Sequence, residues 1–406
     1  MITAPKGTHD ILPGDAERWQ RLEEAARAVL GRYGYGEIRT PMFESTELFA
    51  KGVGQATDIV GKEMYTFADK KDRSLSLRPE GTAAVVRAVL EGRLYDGQGT
   101  LRLYYLGPMF RYERMQKGRQ RQFHQLGVEV FGPASPELDA EVIDALMAFL
   151  GALGIEGSQL LVNSIGDGAC RPVYRERLTA FIDSIADRLC EECLRRKETN
   201  PLRVLDCKNP ACIAATAAAP SILDALCEPC ARHFAAVCRA LEVYGLAYRV
   251  EPRLVRGLDY YMRTTFEVVH GNLGAQNALG GGGRYDGLSE LLGGPHLPGV
   301  GWAAGIERLL LTVPPPAAAA GVDTAVVAVG EAPMLKALAL AQKLRQRGES
   351  VVMDFKGTSF KAQMKAANKC RARRALILGE DELQGGVVTV KDLASGEQRT
   401  IKEDEL

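Results

Sequence analysis

The sequence predicts an α+β core, interrupted by a helical cysteine-rich insertion and followed by a separate α/β domain. Three observations carry this. Leu103 to Phe131 reads as two strands joined by a basic loop, and residues 172–235 turn helical and hold most of the cysteines. Beyond the tract PPPAAAAG at 314–321, apolar strands alternate with helical stretches. The expected boundaries are 1–171 and 236–313 for the two parts of the core, 172–235 for the insertion, 314–321 for the linker and 322–406 for the last domain.

Composition narrows the class. Lys+Arg and Asp+Glu balance at 51 each, so affinity for a polyanion has to come from local patches and not from a net field. At 406 residues, 46% hydrophobic and 25% charged, the chain can bury an ordinary core in two or more domains. The opening MITAPKGTHD holds no apolar signal segment, and no run approaches the ~18 apolar residues of a membrane span. A cytoplasmic protein without a membrane partner is expected. Nine cysteines in such a chain point to metal or plain thiols before disulfides.

Taken in order, Trp19, Leu22, Ala26, Val29 and Tyr33 recur at helical spacing, which predicts a helix from Asp15 to Tyr33. YGEIRTPMF is a short strand broken by Pro41, suited to an edge or an interface. LSLRPEGTAAVVRAVL changes from strand to helix at Pro79, which would sit in the first helical turn. Glu80 and Thr82 are then either helix-capping groups or a grip for an ammonium group.

In the hairpin, Tyr105, Gly107, Met109 and Arg111 share a face, and so do Phe123, Gln125, Gly127, Glu129 and Phe131. Gln125 and Glu129 would flank a notch left free by Gly127, a floor for a small polar ligand. Arg111 could reach a phosphate or carboxylate with its planar fork. The loop between the strands sets Arg114, Lys117, Arg119 and Arg121 against Glu113, which suits either a polyanion or a solvated tip. A buried helix from Ala140 to Leu153 and a strand at LLVNSIG follow.

The insertion carries Cys190-x2-Cys193 and Cys227-x2-Cys230, which would form one four-thiolate zinc site, with Cys207 and Cys212 as alternates. The gap between the pairs exceeds the about 15–20 residues usual for such sites, so buried or surface thiols are the competing reading. Further on, RGLDYY places Arg256, Gly257 and Asp259 in a turn, with Tyr260 and Tyr261 leading into a strand at Thr264 to His270. LGGGGRYDG allows close backbone approach but lacks the Lys-Ser or Lys-Thr of a P-loop, so it is either a flexible turn or a site. GVGWAAGIERLLL would open a helix after Gly301, with Ile306, Leu309 and Leu310 buried and Arg308 at its edge. In the last domain Lys361, Lys365 and Lys369 would line one helix face. Residues 356–374 hold seven Lys or Arg and no acid, which favours a polyanion partner over a merely solvated face.

KGTHDILP, the segment around Pro41, FRYERMQKGRQRQFHQLGVEVFG, RGLDYY, GGGRYDGL and GVGWAAGIER, in this order along the whole chain, resemble the motifs of class II aminoacyl-tRNA synthetases and, among them, the bacterial histidyl-tRNA synthetase family. The resemblance implies an antiparallel sheet flanked by helices, a homodimer, and a C-terminal anticodon-binding domain. It implies ATP-dependent joining of L-histidine to tRNA(His) through a histidyl-adenylate, with Mg²⁺ accompanying ATP. Glu80, Gly81, Thr82 and Gln125 would surround the α-amino group, with Glu129, Tyr260 and Tyr261 about the imidazole. Arg111 would take the α-phosphate, Glu113 and Arg308 the rest of ATP, and Arg256 would bridge carboxylate and α-phosphate. Arg114, Lys117, Arg119, Arg121, Lys361, Lys365 and Lys369 would contact tRNA. The competing function is a synthetase-like regulatory subunit of histidine biosynthesis, expected to lack the last domain and to have lost the RGLDYY stretch.

Overall fold

Residue alternation in the hairpin sets the two faces of the main sheet. The computed structural model describes residues 1–55, 57–97, 99–115, 118–271, 277–314, 321–356 and 359–406. It divides into two compact units, Met1–Pro315 and Pro316–Leu406. In the first unit, eight strands among the described residues form one sheet in the order Gly36–Glu37, Leu101–Phe110, Gln122–Phe131, Gly299–Gly305, Ala278–Arg284, Met262–His270, Ser158–Ser164, Tyr248–Val250. The inner pairings are antiparallel, and only the two edge strands run parallel to their neighbours.

On one face Leu126, Val128 and Val130 join Val300, Trp302 and Ala304 under the helices Asp15–Arg32, Pro136–Ala152 and Glu228–Val243. Trp302 lies parallel to Phe149 at 12° and donates its indole N–H to the Val142 carbonyl at 3.0 Å, so the ring is buried with its polar atom satisfied. Each such fully buried side chain contributes about 1.5–3 kcal/mol through apolar burial. The opposite face carries Gln125, Gly127 and Glu129, and it fronts the cavity.

Several local expectations need correction. The helix read from Ala140 starts at Pro136, because Ser135 caps it by accepting from the Leu138 N–H. Pro79 is not in a first helical turn: the helix is Thr82–Glu91, with Gly81 at its cap. The four glycines form no turn but the middle of the strand Ala278–Arg284, and the strand Gly299–Gly305 continues past Gly301 before the helix Ile306–Thr312. A side chain at Gly281 would stand 2.7 Å from the Phe266 carbonyl and 2.9 Å from the Arg256 guanidinium, so only a bare backbone fits there.

That strand ends in a buried charge cluster the sequence did not disclose. Arg284, fully buried, pairs with Asp139 at 2.5 Å and Asp286 at 2.8 Å, and Asp139 also meets His233 at 2.8 Å. Burial alone would raise the Asp139 pKa, but the Arg284 charge and the His233 hydrogen bond hold it below its ordinary value.

Among the described residues the second unit holds a five-stranded mixed sheet in the order Val351–Met353, Thr324–Ala328, Arg374–Leu378, Val387–Asp392, Gln398–Lys402, with the helices Glu331–Gln346, Phe360–Lys369 and Glu380–Gly385. No helix among the described residues is long and apolar enough to cross a membrane.

Candidate functional site

A cavity of about 660 Å³ opens on the polar face of the main sheet. Its walls come from the hairpin, the Thr82 helix, the loop 256–261, the glycine strand and the Ile306 helix. Glu80 lines it. Its carboxylate accepts from the backbone N–H of Thr82 at 2.7 Å and Ala83 at 2.9 Å, so it caps the helix that follows. Burial raises the Glu80 pKa, and those two N–H groups oppose the rise.

Thr82 Oγ1 donates to Glu129 Oε1 at 2.6 Å, and the Tyr285 hydroxyl donates to Glu129 Oε2. Glu129 is 1% exposed, and burial lifts its carboxyl to about 8 against the pull of those two hydroxyls. It stands one layer behind the cavity wall. The side-chain-free notch expected at Gly127 does not exist: the Tyr105 ring occupies the space that a Cβ at Gly127, or at Gly81, would need. A strand glycine shows where no side chain starts, not where a neighbour's ends. Tyr105 and Gln125 line the cavity, together with Tyr260 and Tyr261, whose rings lie 4.7 Å apart.

The cavity lining is also arginine-rich. Arg111 donates to the Pro79 carbonyl at 2.7 Å and lies over the Phe123 ring; Glu113 sits between it, at 3.7 Å, and Arg119, at 2.8 Å. Arg119 thus faces the cavity and not the outer surface of the loop. Arg256 reaches Glu267 at 2.8 Å and lies over Tyr261. Arg308, far from being a surface ion-pair residue, lines the cavity and donates to the Ala278 carbonyl at 3.1 Å. Gln125 Oε1 and Arg256 Nε are buried and have no hydrogen-bond partner among the described residues. Two such groups lining one cavity call for a polar ligand. Four arginines and the buried carboxylate of Glu80 lining one cavity accommodate a zwitterion joined to a polyphosphate.

The remaining expected residues lie elsewhere. Arg114 is exposed outside the cavity and Arg121 stacks on Tyr112 at 3.8 Å; Lys117 lies outside the described residues. Lys361, Lys365 and Lys369 are exposed on one side of their helix, opposite buried Gln363 and Ala367. Glu267 and Tyr285 were missed. Glu267 carries the signal of strand alternation, whereas nothing local pointed Tyr285 at Glu129.

The single four-thiolate site of Cys190, Cys193, Cys227 and Cys230 is also overturned. The two CxxC pairs belong to different clusters, Cys190 and Cys193 with Cys207 and Cys212, and Cys227 and Cys230 with Asp167 and Cys170. Each pair begins a different helix, Glu191–Thr199 and Glu228–Val243, and each helix start faces its own neighbours.

Comparison with known proteins agrees over the whole chain. The family model described as "Histidyl-tRNA synthetase" matches residues 7–309, and "Anticodon binding domain" matches residues 323–406. A histidine–tRNA ligase of Pelotomaculum thermopropionicum is 51% identical over 408 residues, covering 100% of this chain and 96% of the relative. One from Geobacter metallireducens is 51% identical, covering 99% and 97%. The crystal structure of apo Staphylococcus aureus histidyl-tRNA synthetase superposes with a TM-score of 0.83 at 39% identity, covering 100% of this chain and 98% of that one.

Proposed function

This chain belongs to the histidyl-tRNA synthetase family, and we infer from that membership that it ligates L-histidine to tRNA(His), a class II aminoacyl-tRNA synthetase reaction that consumes ATP and releases AMP and pyrophosphate. The observation that carries the reading is one cavity lined by Glu80, Thr82 and Gln125 together with Arg111, Arg256 and Arg308.

Histidine binds with its α-amino group against Glu80, Thr82 and Gln125, beside Gly81, and its imidazole toward Tyr260, Tyr261 and Glu129. An imidazole reaching Glu129 takes the place of one of the two hydroxyls now donating to it. Arg256 bridges the carboxylate and the α-phosphate, Arg111 holds the α-phosphate, and Arg308 the far end of ATP. The histidine carboxylate attacks the α-phosphorus and pyrophosphate leaves; the arginines stabilise charge spreading over phosphate oxygens, with no protein nucleophile. Glu113 and Glu267 are hard oxygen donors beside these arginines and fit the Mg²⁺ that accompanies ATP, whose charge offsets that of the phosphates. The terminal adenosine hydroxyl of tRNA then takes the histidyl group.

Arg114 and Arg121 on the hairpin loop, and the Lys361, Lys365 and Lys369 face, contact tRNA phosphates. The protein works in the cytoplasm as a homodimer. Met42, Phe43 and Phe67, 52%, 53% and 44% exposed, lie on or next to a three-stranded sheet of Phe43–Ser45, Ser74–Leu77 and Thr66–Ala68 close to Pro41, and support the dimer as an apolar patch a second copy would cover. The thiols of the insertion supply soft donors for structural zinc and take no part in the chemistry.

The competing regulatory function predicted no anticodon-binding domain, yet residues 323–406 match one. Histidine-dependent ATP–pyrophosphate exchange tests the assignment directly: exchange with histidine and with no other amino acid is expected, and its absence from purified protein shown to be folded by circular dichroism would refute it.

A further inference from the structure

We propose that the insertion binds two metal ions in two separate tetrahedral sites, a four-thiolate site at Cys190, Cys193, Cys207 and Cys212 and a three-thiolate, one-carboxylate site at Asp167, Cys170, Cys227 and Cys230. In each group the four donor atoms lie within 4.8 Å of one another. A tetrahedron of metal–sulfur bonds of about 2.3 Å has edges of about 3.8 Å, and replacing one sulfur by a carboxylate oxygen shortens the mixed edges to about 3.6 Å. Cys190 Sγ and Cys207 Sγ are 3.9 Å apart, and Asp167 Oδ1 lies 3.6 Å from Cys170 Sγ and 3.9 Å from Cys227 Sγ. These separations match the two tetrahedra. A disulfide would need about 2.05 Å, and all the cysteines are free. The donors also converge too tightly to enclose a polynuclear cluster.

Backbone geometry supports thiolates at both sites. The Cys190 N–H points at Cys212 Sγ at 3.2 Å, the Asn209 N–H at Cys207 Sγ at 3.4 Å, and the Cys227 N–H at Cys170 Sγ at 3.0 Å. Cys190 and Cys227 each cap a helix, of nine and sixteen residues, so both CxxC pairs place two sulfurs at the positive end of a helix dipole. Mostly thiolate donors in tetrahedral array select zinc over the hard cations.

The sites secure different parts of the molecule. The Asp167 site joins the start of the helix Cys170–Ser184 to the start of Glu228–Val243, and so holds together the two ends of the insertion where it leaves and re-enters the sheet. The four-thiolate site fixes the segment 190–212. From that segment Asn200 bonds Asp259 at 3.0 Å, Arg196 meets Asp58 at 3.2 Å, and Leu205 and Lys208 line the large cavity.

Elemental analysis of the full chain, produced with zinc and purified without a metal-binding tag or chelator, is expected to give two zinc equivalents. Cys193→Ser and Cys230→Ser should each lose one and keep the other. One equivalent that either variant abolishes would mean a shared site and overturn the proposal, as would less than a tenth of an equivalent in the unmodified chain. Because a variant can unfold, X-ray absorption on the unmodified zinc protein gives an independent reading. A first shell averaging between three and four sulfurs per zinc with an oxygen fraction is expected, and a shell of nitrogen and oxygen would defeat the proposal.

Discussion

Thr82 Oγ1 donates to Glu129 Oε1 at 2.6 Å, which ties the first residue of a helix to the hairpin strand that carries the hydrophobic core on its other face. Stability of the fold and polarity of the cavity therefore meet in one carboxyl group. Its titration has a definite sign. Glu129 ionises near 4.5 when exposed but at about 8 when folded, so the unfolded chain gives up a proton that the folded chain keeps. The stability this group contributes is fully present below pH 4.5 and is lost as pH rises to about 8. Glu129→Gln has no such proton, so the Tm of the parent should fall relative to the variant across that window in differential scanning calorimetry. Parallel Tm curves would show that Glu129 is ionised in the folded chain throughout.

Arg256→Ala should lose about 3–4 kcal/mol of transition-state stabilisation, or roughly 10²–10³ in pyrophosphate exchange, while histidine still binds. Equilibrium dialysis with histidine separates the two effects. Exchange within a few-fold of the parent would remove Arg256 from the chemistry and leave it as the partner of Glu267 and Tyr261.

Gly127→Ala should force the Tyr105 ring aside, cost about 1–3 kcal/mol through overpacking, and raise the KM for histidine. Adding Tyr105→Leu should recover much of the lost stability, because the two positions compete for one volume. Additive losses in chemical denaturation would mean that the ring and the methyl never meet.

Arg284→Ala leaves Asp139 buried with only His233 beside it, and should destabilise the core by about 3–5 kcal/mol. The loss should appear in denaturant midpoint and not in the KM for any substrate, since Arg284 is fully buried and does not line the cavity.

Changing Lys361, Lys365 and Lys369 together to Glu should raise the KM for tRNA and flatten its salt dependence, with pyrophosphate exchange nearly unchanged. Equal damage to both half-reactions would indicate misfolding, and unaltered tRNA kinetics would reduce this face to a solubility device.

What the sequence disclosed and withheld has a physical division. The hairpin, the first helix and the last domain were legible because period two and period 3.6 are local properties of side-chain order. Glu80 was legible as a capping group for the same reason. The glycine strand was not, because four residues without side chains have no periodicity to read, and what fixes them as a strand is the close fit against Phe266, Arg256 and Ala304. The cysteines could be counted but not partnered, since spacing along the chain says nothing of which helix starts face each other. The Arg284 cluster joins positions 139, 233, 284 and 286, a constellation that only the folded sheet assembles.

The sheet order has a consequence for the order of synthesis. Gln122–Phe131 pairs on one side with Leu101–Phe110, which precedes it at once, but on the other with Gly299–Gly305. At about 5–20 residues per second on the ribosome, Gly305 follows Phe131 by roughly 10–35 s. Through that interval the hairpin presents an unpaired edge to the cell. The nascent chain is thus most open to chaperones, and to pairing with its own kind on a polysome, long before its cavity has walls.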